Sequence, residues 1–270
     1  MKRTDKAPIQ YPEGTTASDR RFVRNMIVSV KDFIRKTVIT DPSENFDMLL
    51  KKNPSILNPF VVSCSGGIDS TCLLHICFQI ATIDSYKFRC VYINHGLRPE
   101  ENKNEIQFLK LFSKNIGIDF DIFDGKTEKG SGLQERARKI RQEIYNKLIE
   151  DGYYLFLAHT KSDDIETLLM RTLQGKFFPK DYEVEAREIH GIPVISGCIY
   201  RPLMNHTRKD IERYMKVFNL SWCEDSSNSS TDYFRNHIRN VLLPSYEEWK
   251  NKMVSRNKKD DVGIIKERRV

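Results

Sequence analysis

Six consecutive residues, Ser65-Gly66-Gly67-Ile68-Asp69-Ser70, gather two glycines, a carboxylate and two hydroxyls between the apolar run Phe60-Val61-Val62-Ser63-Cys64 and the helix-like segment Thr71-Cys72-Leu73-Leu74-His75-Ile76. A strand, a tight glycine turn and a helix start aim backbone N–H groups and the positive helix end at a phosphate. Gly66 and Gly67 permit conformations and close approach denied to larger residues, Ser65 and Ser70 add hydroxyl donors, and Asp69 can hold Mg2+ against phosphate oxygens. The pattern G-x-x-x-x-G-K-[ST] is missing from the chain, which sets aside an ordinary P-loop nucleotidase.

Other residues have spacings that suit chemistry. His159 and Asp163 lie four apart across a helix start, so both can face a cleft at strand ends. Asp164 and Glu166 follow, and acids in a first helical turn are also favoured by the helix dipole alone. Arg138 and Arg141 share one helix face, where two guanidiniums can reach one anion; ion pairs with Glu135 or Glu143 are the plainer use. Further on, Arg201, Arg208, Arg235 and Arg239 with Asn228 and Asn236 form a mixture suited to phosphate and base contacts. Arg235 and Arg239, four apart, are equally at home on a solvated helix. Trp222 reads as a core residue rather than a base-stacking platform.

The elements that must position these groups follow an alternating rhythm. Strands are expected at Phe60 to Cys64, Phe88 to Asn94, Asp119 to Phe123 and Tyr153 to Ala158. Helices are expected near Ser70 to Thr82, Asn102 to Asn115, Leu133 to Glu150 and Asp163 to Leu173. Short β-rich runs separated by helices of ten or more residues predict βαβ units and a doubly wound parallel sheet covered on both faces. In such sheets ligands sit beyond the carboxyl ends of the strands, where Ser65 to Ser70, Asn94-His95-Gly96 and His159 to Asp164 all fall. After Ile199-Tyr200-Arg201-Pro202-Leu203 the strand rhythm stops, and two helical stretches, Thr207 to Phe218 and Asp232 to Leu243, predict a small helical appendage.

This organisation divides the chain into an N-terminal extension (1–58), an α/β domain (59–203), the appendage (204–249) and a basic tail (250–270). The extension is expected to open as a flexible leader and to carry a helix from Arg21 to Ile39, with Phe22, Met26, Val30, Phe33 and Val38 at near-helical spacing. A second short helix is expected from Asn45 to Lys52.

Composition limits the setting. With 39% hydrophobic and 30% charged residues the chain is that of a soluble globular protein, and no apolar stretch approaches a membrane span. The N-terminus lacks a signal-peptide core, and Asp5, Glu13, Asp19 and Asp32 argue against a transit peptide. Six cysteines, Cys64, Cys72, Cys77, Cys90, Cys198 and Cys223, form no C-x-x-C pair and read as buried or partly buried thiols in a reducing, cytoplasmic setting. The net charge of +7 is terminal: residues 1–40 carry nine Lys/Arg against four Asp/Glu and residues 250–270 eight against three, leaving the middle at about −3. Such ends are either solvated tails or contacts for a polyanion such as RNA.

Several motifs in a shared order resemble the PP-loop ATP pyrophosphatases and, among them, the tRNA(Ile)-lysidine synthetase family. They are Ser65 to Leu74; Asn94-His95-Gly96-Leu97-Arg98; Ala137-Arg138-Lys139-Ile140-Arg141; Ala158-His159 through Asp163-Asp164-Ile165-Glu166-Thr167; Arg201-Pro202-Leu203; Glu224-Asp225-Ser226-Ser227-Asn228; and Arg235-Asn236-His237-Ile238-Arg239 followed by Leu243-Pro244. The resemblance covers about 60–245.

It implies an adenine nucleotide α-hydrolase-like fold and ATP-dependent joining of free L-lysine to C2 of the wobble cytidine of a tRNA(Ile) with a CAU anticodon, through an adenylated base. ATP is the implied substrate and Mg2+ the implied metal, held by Asp69 and Asp163. Asp69, His159, Asp163 and Arg141 are the implied catalytic residues. His159 would polarise or position base and phosphate, and Asp163 would bind metal or deprotonate the lysine amine. ATP would contact Ser65, Gly66, Gly67, Ile68, Asp69, Ser70, Asn94 and Arg138. Lysine or tRNA would fall to Glu166, Arg201, Arg208, Asn228, Arg235, Asn236 and Arg239.

Two departures from the family stand out: Asn94 replaces a frequent Asp, and Lys176-Phe177-Phe178-Pro179-Lys180 with an acidic insertion replaces a short glycine-containing loop after Gly175. Larger members carry a C-terminal domain that grips the tRNA, for which the basic ends are expected to compensate. A homodimer is allowed for. The rival readings are a PP-loop tRNA thiolase, which would want paired or cluster-holding cysteines, a catalytically idle tRNA-binding protein, and ATP-dependent amide synthesis.

Overall fold

The computed structural model describes residues 9–39, 60–83, 88–126, 130, 132–173, 191–224, 234–246 and 248–249. The expected helix at 45–52, the tail at 250–270, the loop around Gly175 and Asn228 lie outside them. The chain forms two compact units, one of residues 1–163 with 193–225 and one of 164–192 with 226–270.

Among the described residues the first unit is built on a six-stranded sheet: β1 (Phe60–Ser63), β2 (Phe88–Asn94), β3 (Asp119–Asp124), β4 (Tyr154–Phe156), β5 (Ile195–Ser196) and β6 (Ile199–Tyr200). Their order is β3-β2-β1-β4-β6-β5. All pairings are parallel except that of β5 with β6. Strands β1 and β4 are apolar and buried because helices cover both faces of a parallel sheet. The β5–β6 hairpin was not expected; two-residue strands carry too few residues for an alternating pattern to register.

The helices are α1 (Ala17–Ile34, prolonged by a wider turn over Arg35–Ile39), α2 (Ile68–Ile83), α3 (Pro99–Ile116), α4 (Leu133–Glu150), α5 (Lys161–Leu173) and α6 (Arg208–Val217). Helix α4 coincides with its expected range, and α3 starts three residues early because Pro99 is well placed at a first helical position. Helix α2 is apolar around its circumference, and most of it is buried. It is the element on which α1 and α6 pack.

In α1 the buried residues are Val23, Met26, Ile27, Val30 and Ile34. The inward face is therefore turned by about one residue from the expected one: Met26 and Val30 hold their places, while Phe22 and Phe33 flank the stripe, partly buried. Helix α6 buries Ile211, Tyr214 and Met215, and the Tyr214 hydroxyl lies 2.9 Å from His75 Nδ1 of α2. Its outer side is tied to α1 by Arg213, which bonds Asp19 Oδ1 at 2.9 Å and stacks over the Phe22 ring at 4.3 Å.

The topology fixes where a ligand belongs. From β1 the chain winds outward through β2 to β3, then returns to place β4 on the other side of β1. The loops leaving β1 and β4 therefore part in opposite directions and open a crevice at the carboxyl edge, the usual ligand position in open α/β sheets. Those loops carry Ser65–Ser70 and His159–Asp163.

In the second unit, the helical stretch expected at Asp232 to Leu243 is α7 (Phe234–His237) continued through a π-type turn over Ile238–Leu242. No helix among the described residues is long and apolar enough to cross a membrane.

Candidate functional site

The loop after β1 is held open from within. Cys64 N–H continues the ladder to Val91 O at 2.8 Å, after which the chain turns through Gly66 at φ +83°, a left-handed conformation that L side chains rarely adopt. Ser70, buried on the first turn of α2, accepts from Ser65 N–H at 3.2 Å and donates to Gly67 O at 3.0 Å. Thr71 Oγ1 donates to Gly66 O at 3.2 Å. The hydroxyls thus brace the loop carbonyls, and the first amides of α2 point out of the helix end as an anion cradle. Cys223 N–H also donates to Gly66 O, at 2.9 Å, so the segment after α6 lies across this loop.

Asp69 lies in the first turn of α2, and its Oδ2 accepts from Arg208 Nη1 at 2.7 Å. Arg208 is the first residue of α6, whose start is locked by a capping box: Thr207 Oγ1 accepts from Asp210 N–H while Asp210 Oδ2 accepts from Thr207 N–H at 2.8 Å. The Arg208 backbone N–H donates to Ser162 Oγ at 3.0 Å, and Lys161 N–H donates to His206 O at 2.9 Å. These bonds set the starts of α5 and α6 side by side, with Arg208 reaching the first turn of α2.

His159 ends the segment after β4. Its Nδ1 accepts from Arg201 Nε at 3.3 Å, and Arg201 Nη1 donates to Pro193 O at 2.7 Å. A guanidinium donating to Nδ1 leaves the ring proton of a neutral His159 on Nε2, which makes this imidazole a hydrogen-bond donor through Nε2. Burial lowers the Arg201 pKa, opposed by the nearby Tyr145 hydroxyl.

Asp163 is drawn into the cap of α5: Oδ2 accepts from Thr160 N–H at 2.8 Å and Thr160 Oγ1 at 2.9 Å, and Thr160 Oγ1 accepts from Asp163 N–H at 3.3 Å. Thr160 was not singled out in the sequence, although Thr160-Lys161-Ser162-Asp163 has the T-x-x-D spacing that announces such a cap.

On the other flank, the Asn94 side chain accepts from Gly96 N–H at 3.0 Å and meets the Asn102 amide at 2.8 Å. It shapes the turn after β2. His95 Nδ1 donates to Gly125 O at 3.1 Å, and burial lowers its pKa. Gly125 went unnoticed in the sequence, yet a Cβ there would lie 2.6 Å from Ile93 Cγ2 and 3.2 Å from His95 Nδ1. Single-sequence patterns carry no signal for such an approach. Arg138, Arg141, Glu135 and Glu143 are all exposed on α4. The field of Arg141 reaches His95 and Tyr145, whose hydroxyl lies 2.8 Å from Ser63 Oγ.

The second unit brings three expected ligand contacts onto one another. Glu166, 2% exposed, accepts from Arg239 Nε at 2.6 Å, Arg239 Nη2 at 2.8 Å and Arg235 Nε at 2.9 Å. Asn236 is on the same short helix as Arg235. Asp164 Oδ1 accepts from Ile192 N–H at 2.7 Å, so this acid fastens the chain near Gly191. In the first unit Trp222 is exposed, against the expectation of a core residue.

All six cysteines are free thiols, four of them buried. Burial pushes the thiols of Cys64, Cys72 and Cys77 up, which keeps them protonated and inert. No three His, Cys, Asp or Glu side chains among the described residues converge as a metal cage. That donor set still fits Mg2+, which is commonly held by one or two carboxylates together with substrate phosphates. Asp69 beside the glycine loop supplies such a carboxylate.

A family model described as a PP-loop domain matches residues 40–246. The chain belongs to the PP-loop domain family. Its α1 lies ahead of the matched region. The chain is 36% identical over 212 residues to a tRNA(Ile)-lysidine synthase of Borreliella afzelii, with 75% of this chain and 46% of that protein aligned. It is 34% identical over 201 residues to one of a Wolbachia species, covering 70% of this chain and 44% of that protein. The chain thus spans about half the length of these curated relatives. Among solved structures it is similar to the U34-tRNA thiolase NcsA from Methanococcus maripaludis with its [4Fe-4S] cluster, at TM-score 0.59 and 17% identity over 90% of this chain and 82% of that one. That likeness shows the PP-loop fold.

Proposed function

We propose that this chain is a tRNA-modifying PP-loop enzyme that activates the wobble cytidine of a CAU-anticodon tRNA(Ile) with ATP and joins free L-lysine to C2 of that base. The reading is carried by one juxtaposition: the Ser65–Ser70 loop and the His159–Asp163 segment flank the same crevice of the sheet. Its support is the set of curated relatives named tRNA(Ile)-lysidine synthase.

In this reaction the O2 of cytidine attacks the α-phosphorus of ATP and pyrophosphate leaves with the bridging oxygen. The lysine ε-amine then attacks C2, AMP departs, and the amine gives up a proton. Negative charge grows on the phosphoryl oxygens in the first step, so fixed donors that face those oxygens lower the barrier. The loop amides of Gly67, Ile68 and Asp69 and the hydroxyl of Ser65 form the cradle for the phosphates. Mg2+, held by Asp69 with the phosphates, would supply charge neutralisation there.

His159, with its proton on Nε2, donates a hydrogen bond to a phosphoryl oxygen or to the base, and Arg201 fixes the ring plane in which it does so. Asp163 is oriented by the cap of α5 and accepts the proton of the incoming amine. Asn94 shapes the turn that meets the adenosine, with His95 steadied by Gly125. Arg138 and Arg141, both exposed, are suited to the polyphosphate or the RNA backbone. Glu166 remains the candidate for the lysine ammonium; to serve, it must yield an oxygen now bonded to Arg235 or Arg239. Those two arginines would then turn to the tRNA.

The test is incubation of the full chain with ATP, Mg2+, labelled lysine and a tRNA(Ile) transcript bearing CAU. Lysine incorporation with AMP and pyrophosphate in equal amounts supports the reading. Formation of ADP, or pyrophosphate release independent of tRNA and lysine, overturns it.

A further inference from the structure

Arg208 stands between two acidic partners on a helix that is itself immobilised. Its Nη1 lies 2.7 Å from Asp69 Oδ2 and its Nε 3.1 Å from Glu212 Oε1, one turn further along α6. The backbone beneath it is fixed by the Thr207–Asp210 box, by Ser162 Oγ, by the buried Ile211, Tyr214 and Met215, and by Arg213 on Asp19. The Arg208 side chain is 43% exposed, so the guanidinium can turn while the helix stays put. Glu212 is close enough to keep hold of Nε when Nη1 lets go.

Asp69 is also the carboxylate that would hold Mg2+ beside ATP, a premise taken from the proposed function. A dication held at the roughly 2.1 Å that magnesium demands, on Oδ2 in place of the guanidinium or on the neighbouring Oδ1, would stand within a few ångströms of the guanidinium now 2.7 Å from Oδ2, and the two cations repel. That repulsion sets arginine and metal in competition for the one carboxylate. We propose that Arg208 is the counter-ion exchanged for Mg2+ on Asp69, and that the displaced guanidinium, still tethered by Glu212, becomes a ligand of the nucleotide phosphates. Without nucleotide the arginine neutralises Asp69 and discourages metal binding; with MgATP the metal takes the carboxylate and the arginine meets the added negative charge. A planar fork suits both partners, since carboxylate and phosphate present similar pairs of oxygens. The arrangement couples metal affinity to the presence of phosphate, so the site loads with the metal–nucleotide pair rather than with metal alone.

The experiment uses Mn2+ as the probe, with free ion read by electron paramagnetic resonance in the absence of nucleotide, and a fluorescent ATP analogue titrated with Mg2+ present. Arg208→Gln is expected to bind Mn2+ about fivefold more tightly than wild type and the Mg2+–nucleotide about tenfold more weakly. Opposite signs are the signature, because a purely structural role would weaken both. Arg213→Gln removes the same charge elsewhere on α6 and is expected to leave Mn2+ affinity within twofold. Arg208→Lys, which keeps the charge without the fork, is expected to hold Mn2+ near the wild-type value. If Arg208→Gln leaves Mn2+ affinity unchanged or lower while wild type binds the nucleotide normally, the exchange is overturned and the nucleotide site stands. If wild type binds no nucleotide, the reading of the loop falls and the exchange with it. Thermal melting of each variant separates loss of fold from loss of the counter-ion.

Discussion

Arg201 Nε donates to His159 Nδ1 at 3.3 Å while Nη1 of the same guanidinium reaches Pro193 O at 2.7 Å. One side chain thereby ties the segment after β4 to the chain entering β5 and also dictates which imidazole nitrogen carries the proton. Arg201→Lys keeps the charge but cannot make both bonds, and it should cost about 1–2 kcal/mol of stability. The expected kinetic effect is a fall in the rate of pyrophosphate release with little change in nucleotide affinity. Nitrogen-15 NMR of the imidazole should show the Nε2–H tautomer of His159 in wild type and a mixture in the variant. An unchanged tautomer would remove Arg201 from any role beyond the fold.

The cap of α5 and the candidate base are the same carboxylate, so stability and chemistry are coupled at Asp163. Thr160→Ala removes a hydroxyl that both accepts from and donates to Asp163, and is expected to cost about 1 kcal/mol, within the range of lost N-caps. Asp163→Asn should cost a similar amount yet abolish lysine transfer. A double-mutant cycle on stability should show an interaction of about 1 kcal/mol, since either change alone already breaks the box. Additive stabilities would mean that the cap does not orient Asp163.

Much of this was legible in the sequence, and the division follows from range. The strand–glycine–helix unit at Phe60–Ile83 is local, so its residue types were enough to locate the glycine turn between β1 and α2. Helix α4 was readable for the same reason. The Asp69–Arg208 pair joins residues 139 apart, and Glu166–Arg239 joins residues 73 apart. Their partners are chosen by topology, and no spacing announces them. Arginines that look like RNA contacts in one dimension are, in three, first of all the counter-ions of buried or half-buried acids. The rotated face of α1 has another cause: Phe22 and Phe33 are large enough to reach the core from the rim of the stripe, so hydrophobicity alone set the helix phase wrongly.

Glu166 and its two arginines provide a prediction on energetics. Glu166→Ala leaves two guanidiniums without their shared acceptor, and should destabilise the second unit by about 3 kcal/mol. Arg235→Ala should cost about 1 kcal/mol, because Arg239 still pairs with the carboxylate through two nitrogens. The chain has two tryptophans, Trp222 in the first unit and Trp249 in the second. In a Trp222→Phe background urea unfolding followed by fluorescence therefore reports the second unit, and equal losses for the two variants would contradict the shared clamp.

Gly125 gives a steric prediction. In Gly125→Ala the new methyl group meets Ile93 Cγ2 at 2.6 Å, a branched side chain anchored on β2, so the strand end or His95 must shift. The expected cost is about 2 kcal/mol, as for overpacked cores. Nucleotide affinity should fall in parallel, through displacement of the Asn94–Gly96 turn, and a stability loss with unchanged nucleotide affinity would show that this turn takes no part in binding the nucleotide.

His75 sets an acid limit to the fold. It lies on α2 among Phe78, Phe112, Tyr214 and Phe218, and desolvation lowers its pKa from 6.5 to about 4. The folded state thus favours the neutral ring, and the unfolded chain binds the proton first as pH falls. This contribution to stability is complete above pH 6.5, declines between 6.5 and about 4, and is gone below that. At 1.36 kcal/mol per pH unit the whole loss is about 3 kcal/mol. Tyr214 faces Nδ1 at 2.9 Å and Gln79 faces Nε2 at 3.4 Å, so among the described residues the ring nitrogens meet neutral partners and a protonated ring gains no counter-ion from them. Urea midpoints measured from pH 7 to pH 4 should fall with that slope in wild type and more gently in His75→Gln. Equal slopes in both would assign the acid sensitivity to other groups and leave His75 as packing alone.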